Sequence, residues 1–199
     1  MTETTRRGRG RGSLLLPDGR GGWAAAAGAP NAWAYTWGEI AARLCVPGPL
    51  DYRPSHLYLE FRNGGDPGDP VPVPSDARED GLGHYLGLAG SADRDYLRIP
   101  ISDATPGRDP DFEGTAHLPP GFANQVLFGG VSAEAYGVLG RPFSAAAGSR
   151  CYGSALVAAP FPGDPSRDVV WSRAYYAPGS QVDAPAGGAV RVTHLLQFR

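Results

Sequence analysis

Lysine is missing from this 199-residue chain; all 18 basic residues are arginine. Beside abundant Ala, Gly and Pro, that pattern reads as coding from a GC-rich genome, so arginine enrichment by itself carries little functional weight. Cysteine is scarce. Cys45 and Cys151 sit in no CxxC or Cys/His cluster, which excludes a disulfide framework and a local zinc site. One bond between them is open, and two separate buried thiols are the expectation. No apolar run approaches the roughly 18 residues of a membrane-spanning helix. The start, TRRGRGRGSLLLPDG, offers only Leu14–Leu16 as an apolar core before Pro17, Asp18 and Gly19. A signal peptide needs an apolar region of about 7–15 residues, so none is expected here.

Chemical signatures are equally sparse. There is no GxSxG elbow, HExxH, phosphate-binding loop, or GxGxxG following a strand. His56, His84, His117 and His194 are far apart, without the spacing that local metal sites use. Asp66, Asp69, Asp76, Glu79 and Asp80 share one stretch but lack the ligand spacing of a calcium loop, and they read as a solvated segment. No catalytic residue, metal or cofactor is expected, and the chain is read as a non-enzyme.

Glycine and proline are plentiful, 29 and 20, about a quarter of the chain. Full disorder is excluded by 4 Trp, 9 Tyr and 7 Phe spread among alternating segments able to form a core. Residues 1–30 read as a flexible basic Gly/Arg arm, and 31–199 as a single β-rich domain with a long acidic Pro/Gly loop at about 62–93. Within the domain, Trp33, Trp37, Ile40, Ala41 and Leu44 recur at spacings of three and four, with Thr36 and Glu39 as a capping box. That predicts a short helix over 37–44. Elsewhere the period is two. His56–Phe61 reads as a half-buried strand with Leu57, Leu59 and Phe61 on one face, and Tyr96–Ile101 alternates again, with Pro100 arguing for an edge or a strand end. Gln125–Phe128, Cys151–Ala158, Val169–Tyr176 and Val190–Phe198 are further strand candidates. Short strands between Gly/Pro turns, with one N-terminal helix, predict an all-β sandwich or jelly roll carrying an extended basic arm.

The arm is the first candidate contact. Arg6, Arg7, Arg9 and Arg11 attract phosphate and carboxylate alike. No aromatic residue interleaves them, and a protein partner is the preferred reading, with a weak nucleic-acid contact as its rival. Leu14, Leu15, Leu16 and Trp23 would add apolar anchorage, and Trp33, Tyr35 and Trp37 would bury area against a partner.

Three segments resemble a group of tailed-bacteriophage virion structural proteins of the tail-fibre or accessory type. HLYLEFRNGGDPGD at 56–69 is similar to that group's early strand and following D-P-G loop. RDYLRIPI at 94–101 resembles its aromatic-x-arginine strand, and GRPFSAAAGSRCYGSALVAAP at 140–160 its later small-residue strand and turn. The likeness covers about 37–199, with 64–93 as an insertion and the basic start outside it. It implies a β-sandwich subunit of a virion (capsid surface, neck or tail) without catalytic residues. Such a subunit would contact other virion proteins and copies of itself, and would be released by lysis. The alternative is a carbohydrate- or surface-binding module that stacks sugars on Tyr85, Trp171, Tyr175 and Tyr176.

Overall fold

The computed structural model describes residues 10–33, 37–62, 94–109, 119–132, 150–164, 167–176, 182–183 and 189–198. In chain order the elements are β1 (Gly10–Pro17), β2 (Trp23–Trp33), α1 (Trp37–Leu44), β3 (His56–Arg62), β4 (Arg94–Pro100) and β5 (Asp103–Gly107). They continue with β6 (Gln125–Ser132), β7 (Arg150–Ala158), β8 (Val169–Tyr175), β9 (Val182–Asp183) and β10 (Val190–Gln197). Strands dominate, as the sequence pattern predicts. They form one antiparallel sheet in the order β4-β3-β7-β8-β2-β1-β10-β6-β5, with β9 beside β7.

The sheet curls into a half-barrel because two stretches of chain turn its corners. β2 pairs with β1 through Trp23–Pro30, then with β8 through its last three residues, Asn31–Trp33. On the far side, only Ile101 and Ser102 separate β4 from β5, the two ends of the strand order. The Ile101 N–H donates to the Ser55 carbonyl (3.0 Å), and the Ser102 N–H to the Gly129 carbonyl (2.9 Å). One continuous segment is thus bound to both ends of the sheet. The ends also meet across the interior, where Gly130 of β6 lies against Ile99 and Leu57.

The core follows from strand alternation. Along β10, Val190, Val192, His194 and Leu196 are buried, and Arg191, Thr193, Leu195 and Gln197 are half-exposed. Leu57, Leu59, Leu97, Ile99, Leu156 and Leu14 belong to the same buried cluster. α1 buries Ile40, and the Trp171 indole N–H ties β8 to the segment after the helix by donating to the Tyr52 carbonyl (2.9 Å). β3 departs from the half-buried expectation. Tyr58, on the face opposite Leu57 and Leu59, is only 1% exposed.

The arm expected through residue 30 is corrected for residues 10–30. β1 and β2 are neighbours in the middle of the strand order, and Leu14 is 1% exposed. The period of two is present here, but glycine occupies the inward positions. Gly12 and Leu14 are buried while Arg11 is exposed. A Cβ at Gly12 would lie 2.5 Å from Ala174 Cβ, 2.6 Å from His194 Nε2 and 2.7 Å from Ser154 Oγ. Only glycine fits there, and glycine carries no apolar signal. The hairpin that follows is closed by Asp18, whose Oδ1 accepts from the N–H groups of Arg20 (2.8 Å) and Gly22 (2.9 Å). Those donors hold its carboxyl below the usual range. Gly19 and Gly21 take the positive φ values, 72° and 85°, that the turn requires. Residues 1–9 and 63–93, which hold the rest of the expected arm and most of the acidic loop, lie outside the described residues.

Gly12→Ala should therefore lower stability by about 1–3 kcal/mol through overpacking against the imidazole and the serine. Gly163→Ala, where nothing lies within 4 Å, should stay within about 0.5 kcal/mol of the parent. Urea unfolding midpoints of the two variants check the difference.

Candidate functional site

Two polar clusters and one exposed face hold the chemistry-bearing groups among the described residues. The first cluster lies inside the curl. His194 points inward from β10, and its ring reaches β7 and β8, which are separated from β10 in the sheet by β2 and β1. Nε2 is 2.8 Å from Ser154 Oγ, and Nδ1 is 3.2 Å from Ser172 Oγ. In the neutral ring one nitrogen donates and the other accepts, so the two hydroxyls satisfy both. The ring can cross because the β1 residue registered with it is Gly12. Burial pushes the imidazole down to about 3, and a hydrogen bond with the Ser154 backbone only partly offsets this. Nearby, Asn31 Nδ2 donates to the Leu195 carbonyl (2.8 Å) and stitches β2 to β10.

A serine within hydrogen-bond reach of a histidine is the geometry of an activated nucleophile. Here the group orienting the ring is a second serine rather than a carboxylate, and all three side chains are enclosed. His194 and Ser172 are 0% exposed and Ser154 5%. A substrate has no access to this serine in the folded chain, and the cluster joins strands. Sequence spacing could not reveal it, since Ser154 and Ser172 lie 40 and 22 residues from His194 and converge only through the sheet.

The second cluster lies on the opposite face of β3. The Tyr58 hydroxyl donates to Asp168 Oδ2 at 2.5 Å. Arg98 of β4 donates from Nε to the same oxygen (3.0 Å) and from Nη2 to Oδ1 (3.4 Å). The Asp168 side chain is fully enclosed and that of Arg98 is 18% exposed. Burial, then the Asp168 hydrogen bond, push the Tyr58 hydroxyl far above its ordinary range. Half-buried His56, at the start of β3, is held below its usual value by burial and then by the Arg98 charge, with Asp168 opposing. Its Nδ1 is 3.0 Å from Ser55 Oγ. The carboxylate is saturated by a hydroxyl and a guanidinium, which suits joining β3 and β4 to the start of β8 better than proton transfer.

The expected partner-binding residues are scattered. Arg6, Arg7, Arg9 and Tyr35 lie outside the described residues. Arg11 is exposed on the outer face of β1, its guanidinium lying beside Gly28 of β2. Leu14 is core, which corrects its assignment to a partner contact, and Leu15, Leu16 and Trp23 are half-buried. Trp33 ends β2 and Trp37 begins α1. For the sugar-binding alternative, Trp171 and Tyr176 are buried, Tyr175 is half-buried, and Tyr85 is outside the described residues. Cys151 is buried and Cys45 exposed, neither in a disulfide, so the expectation of two buried thiols is corrected at Cys45.

What sequence reading missed is the outer face of β6, β10 and β1. Leu127 (39% exposed) and Val131 (41%) flank Gly129 on β6. By register Leu127 neighbours Leu195 and then Arg11, and Val131 neighbours Arg191 and then Leu15. Gly129, Thr193, Ser13 and Gly28 form the row between them. Arg191 Nη2 pairs with Asp103 Oδ2 at 3.2 Å across this face.

Asp168→Ala should destabilise the fold by about 3–5 kcal/mol, because it strands a largely enclosed guanidinium. Tyr58→Phe, which removes one hydroxyl while keeping the ring, should cost about 1–2 kcal/mol. Equilibrium unfolding of both variants checks the order; equal losses would contradict the arrangement.

Comparison with known proteins leaves these observations standing alone: no protein-family model, curated protein or solved structure matches the chain.

Proposed function

We propose that this chain is a non-enzymatic β-rich subunit that works by contact with neighbouring proteins in a larger assembly. One observation carries the reading. Among the described residues, two clusters able to do chemistry, His194 with its serines and Asp168 with Tyr58 and Arg98, are taken up in joining strands. The outer face of β6 meanwhile presents Leu127 and Val131 to solvent on either side of Gly129, with the Arg191–Asp103 pair between them. Apolar side chains on a sheet face flanked by arginine suit a protein contact more than a soluble substrate.

The assembly we favour is the virion of a tailed phage, at the capsid surface, neck or tail. That choice rests on the resemblance of 56–69, 94–101 and 140–160. Their described parts belong to β3, β4 and β7, which are adjacent in the sheet. A sandwich-like packing, as the resemblance implies, draws support from the approach of Ile99 and Leu57 to Gly130. Contacts through Arg6, Arg7 and Arg9 belong to the same proposal, with nucleic acid as the competing partner.

The test is incorporation. Particles from lysed cells should carry the tagged wild-type chain in their purified band, visible by immunogold labelling. Leu127→Asp with Val131→Asp should keep the parental melting temperature within a few degrees yet fall at least tenfold in particle-bound copies. Wild-type protein found only in the soluble fraction would refute the virion reading.

A further inference from the structure

His194 is the one inward-facing ionisable group on β10, and the described residues around it supply no compensating charge. The groups facing it are Gly12 from β1, Ser154 from β7, and Ser172 and Ala174 from β8; Phe128 of β6 is its registered neighbour. Ala29, the β2 residue in register with Gly12, continues the small-residue lining. Arg173 stands between Ser172 and Ala174, on the other face of β8. The Tyr176 hydroxyl and the Cys151 thiol are buried around Ser154. Neither is anionic in the range where an imidazole gains its proton.

Both serine hydroxyls can accept a hydrogen bond, so a protonated ring would not lack partners. What it lacks is solvent exposure and, among the described residues, a counter-charge, and an isolated buried cation is expensive. The ring also spans a gap in the strand order rather than reinforcing a neighbouring pair. The backbone ladders of β10 with β1 and β6 do not depend on it, whereas its side-chain link to β7 and β8 does.

We propose that His194 is an acid-operated latch: gaining a proton, it releases β10 from β7 and β8 and loosens the curled sheet. The sign follows from linkage. The folded state holds the ring at about 3, below its ordinary 6.5. The stabilisation is therefore complete above about pH 6.5 and is lost progressively as pH falls toward 3. Between pH 7 and pH 4 this one group raises the unfolding equilibrium constant about 200-fold.

Urea unfolding of the wild type, His194→Gln and His56→Gln at pH 7, 6, 5 and 4 reads the effect. His194→Gln should lose that 200-fold rise, leaving what His56, also held below its ordinary value, and the carboxylates contribute. His56→Gln should keep it. An unchanged rise in His194→Gln, or its loss in His56→Gln, would overturn the proposal. Should His194→Gln not fold, the wild-type protein decides by NMR of the imidazole ring. The ring should stay neutral in the folded form, with its protonated signal emerging only alongside the loosened one. Smooth titration near 6.5 within the folded form would overturn the latch.

Discussion

At Gly12 the two sides of the curled sheet approach until a single methyl group would not fit. His194 comes over this glycine from β10, meets Ser154 and Ser172 on the far side, and leaves no space for a β carbon. The rest of the architecture follows from that approach. A bulky residue at position 12 would hold β10 away from β7 and β8 and flatten the sheet. Its two ends would then part where Ile99 and Leu57 lie on Gly130. The glycine–arginine string at the start of the chain therefore owes two of its glycines, Gly10 and Gly12, to packing, and turns one of its arginines, Arg11, to solvent.

The two polar clusters divide the work by face. Inside the curl, where no charge among the described residues compensates another, the polar contact is neutral: hydroxyls and an imidazole that burial keeps unprotonated. On the other face of β3, where Arg98 retains some solvent contact, the contact is ionic and centres on Asp168. An enclosed carboxylate tolerates its position only while its donors remain in place, since losing a partner costs more than the pair contributes. Both clusters join segments far apart in sequence, β10 to β7 and β8 in one case, β3 and β4 to β8 in the other. They fix which strands meet, a task an apolar core alone performs less selectively.

Much of the β architecture was legible in sequence because the period of two was written in large side chains. VRVTHLLQF became β10 with Val190, Val192, His194 and Leu196 on the buried face, as the alternation predicts. Pro100 marked β4 as a terminal strand, and the helix spans Trp37–Leu44. β1 and β2 were illegible for a physical reason. Their inward positions are filled by Gly12, Ala27 and Ala29, which resemble loop composition although the space they line is core. The Pro17–Asp18–Gly19 sequence was read as ending an apolar run, when it opens the turn of a hairpin. Neither polar cluster could be read from spacing. The serines of His194 and the partners of Asp168 are brought together by strand order and register, which a single sequence does not specify.

Residues 10–17 are a sheet strand at the heart of the fold rather than an arm. Leu14 of β1 stands in register with Val192 of β10 and Ala27 of β2. Hydrogen exchange of the isolated protein at neutral pH, resolved to individual amides, reads this directly. The account predicts that the Ser13–Leu15 amides bonded within the sheet exchange as slowly as those of Val192 and Leu156, near the rate set by global unfolding. Exchange of all three within seconds, as in an unstructured chain, while β10 stays protected, would contradict it.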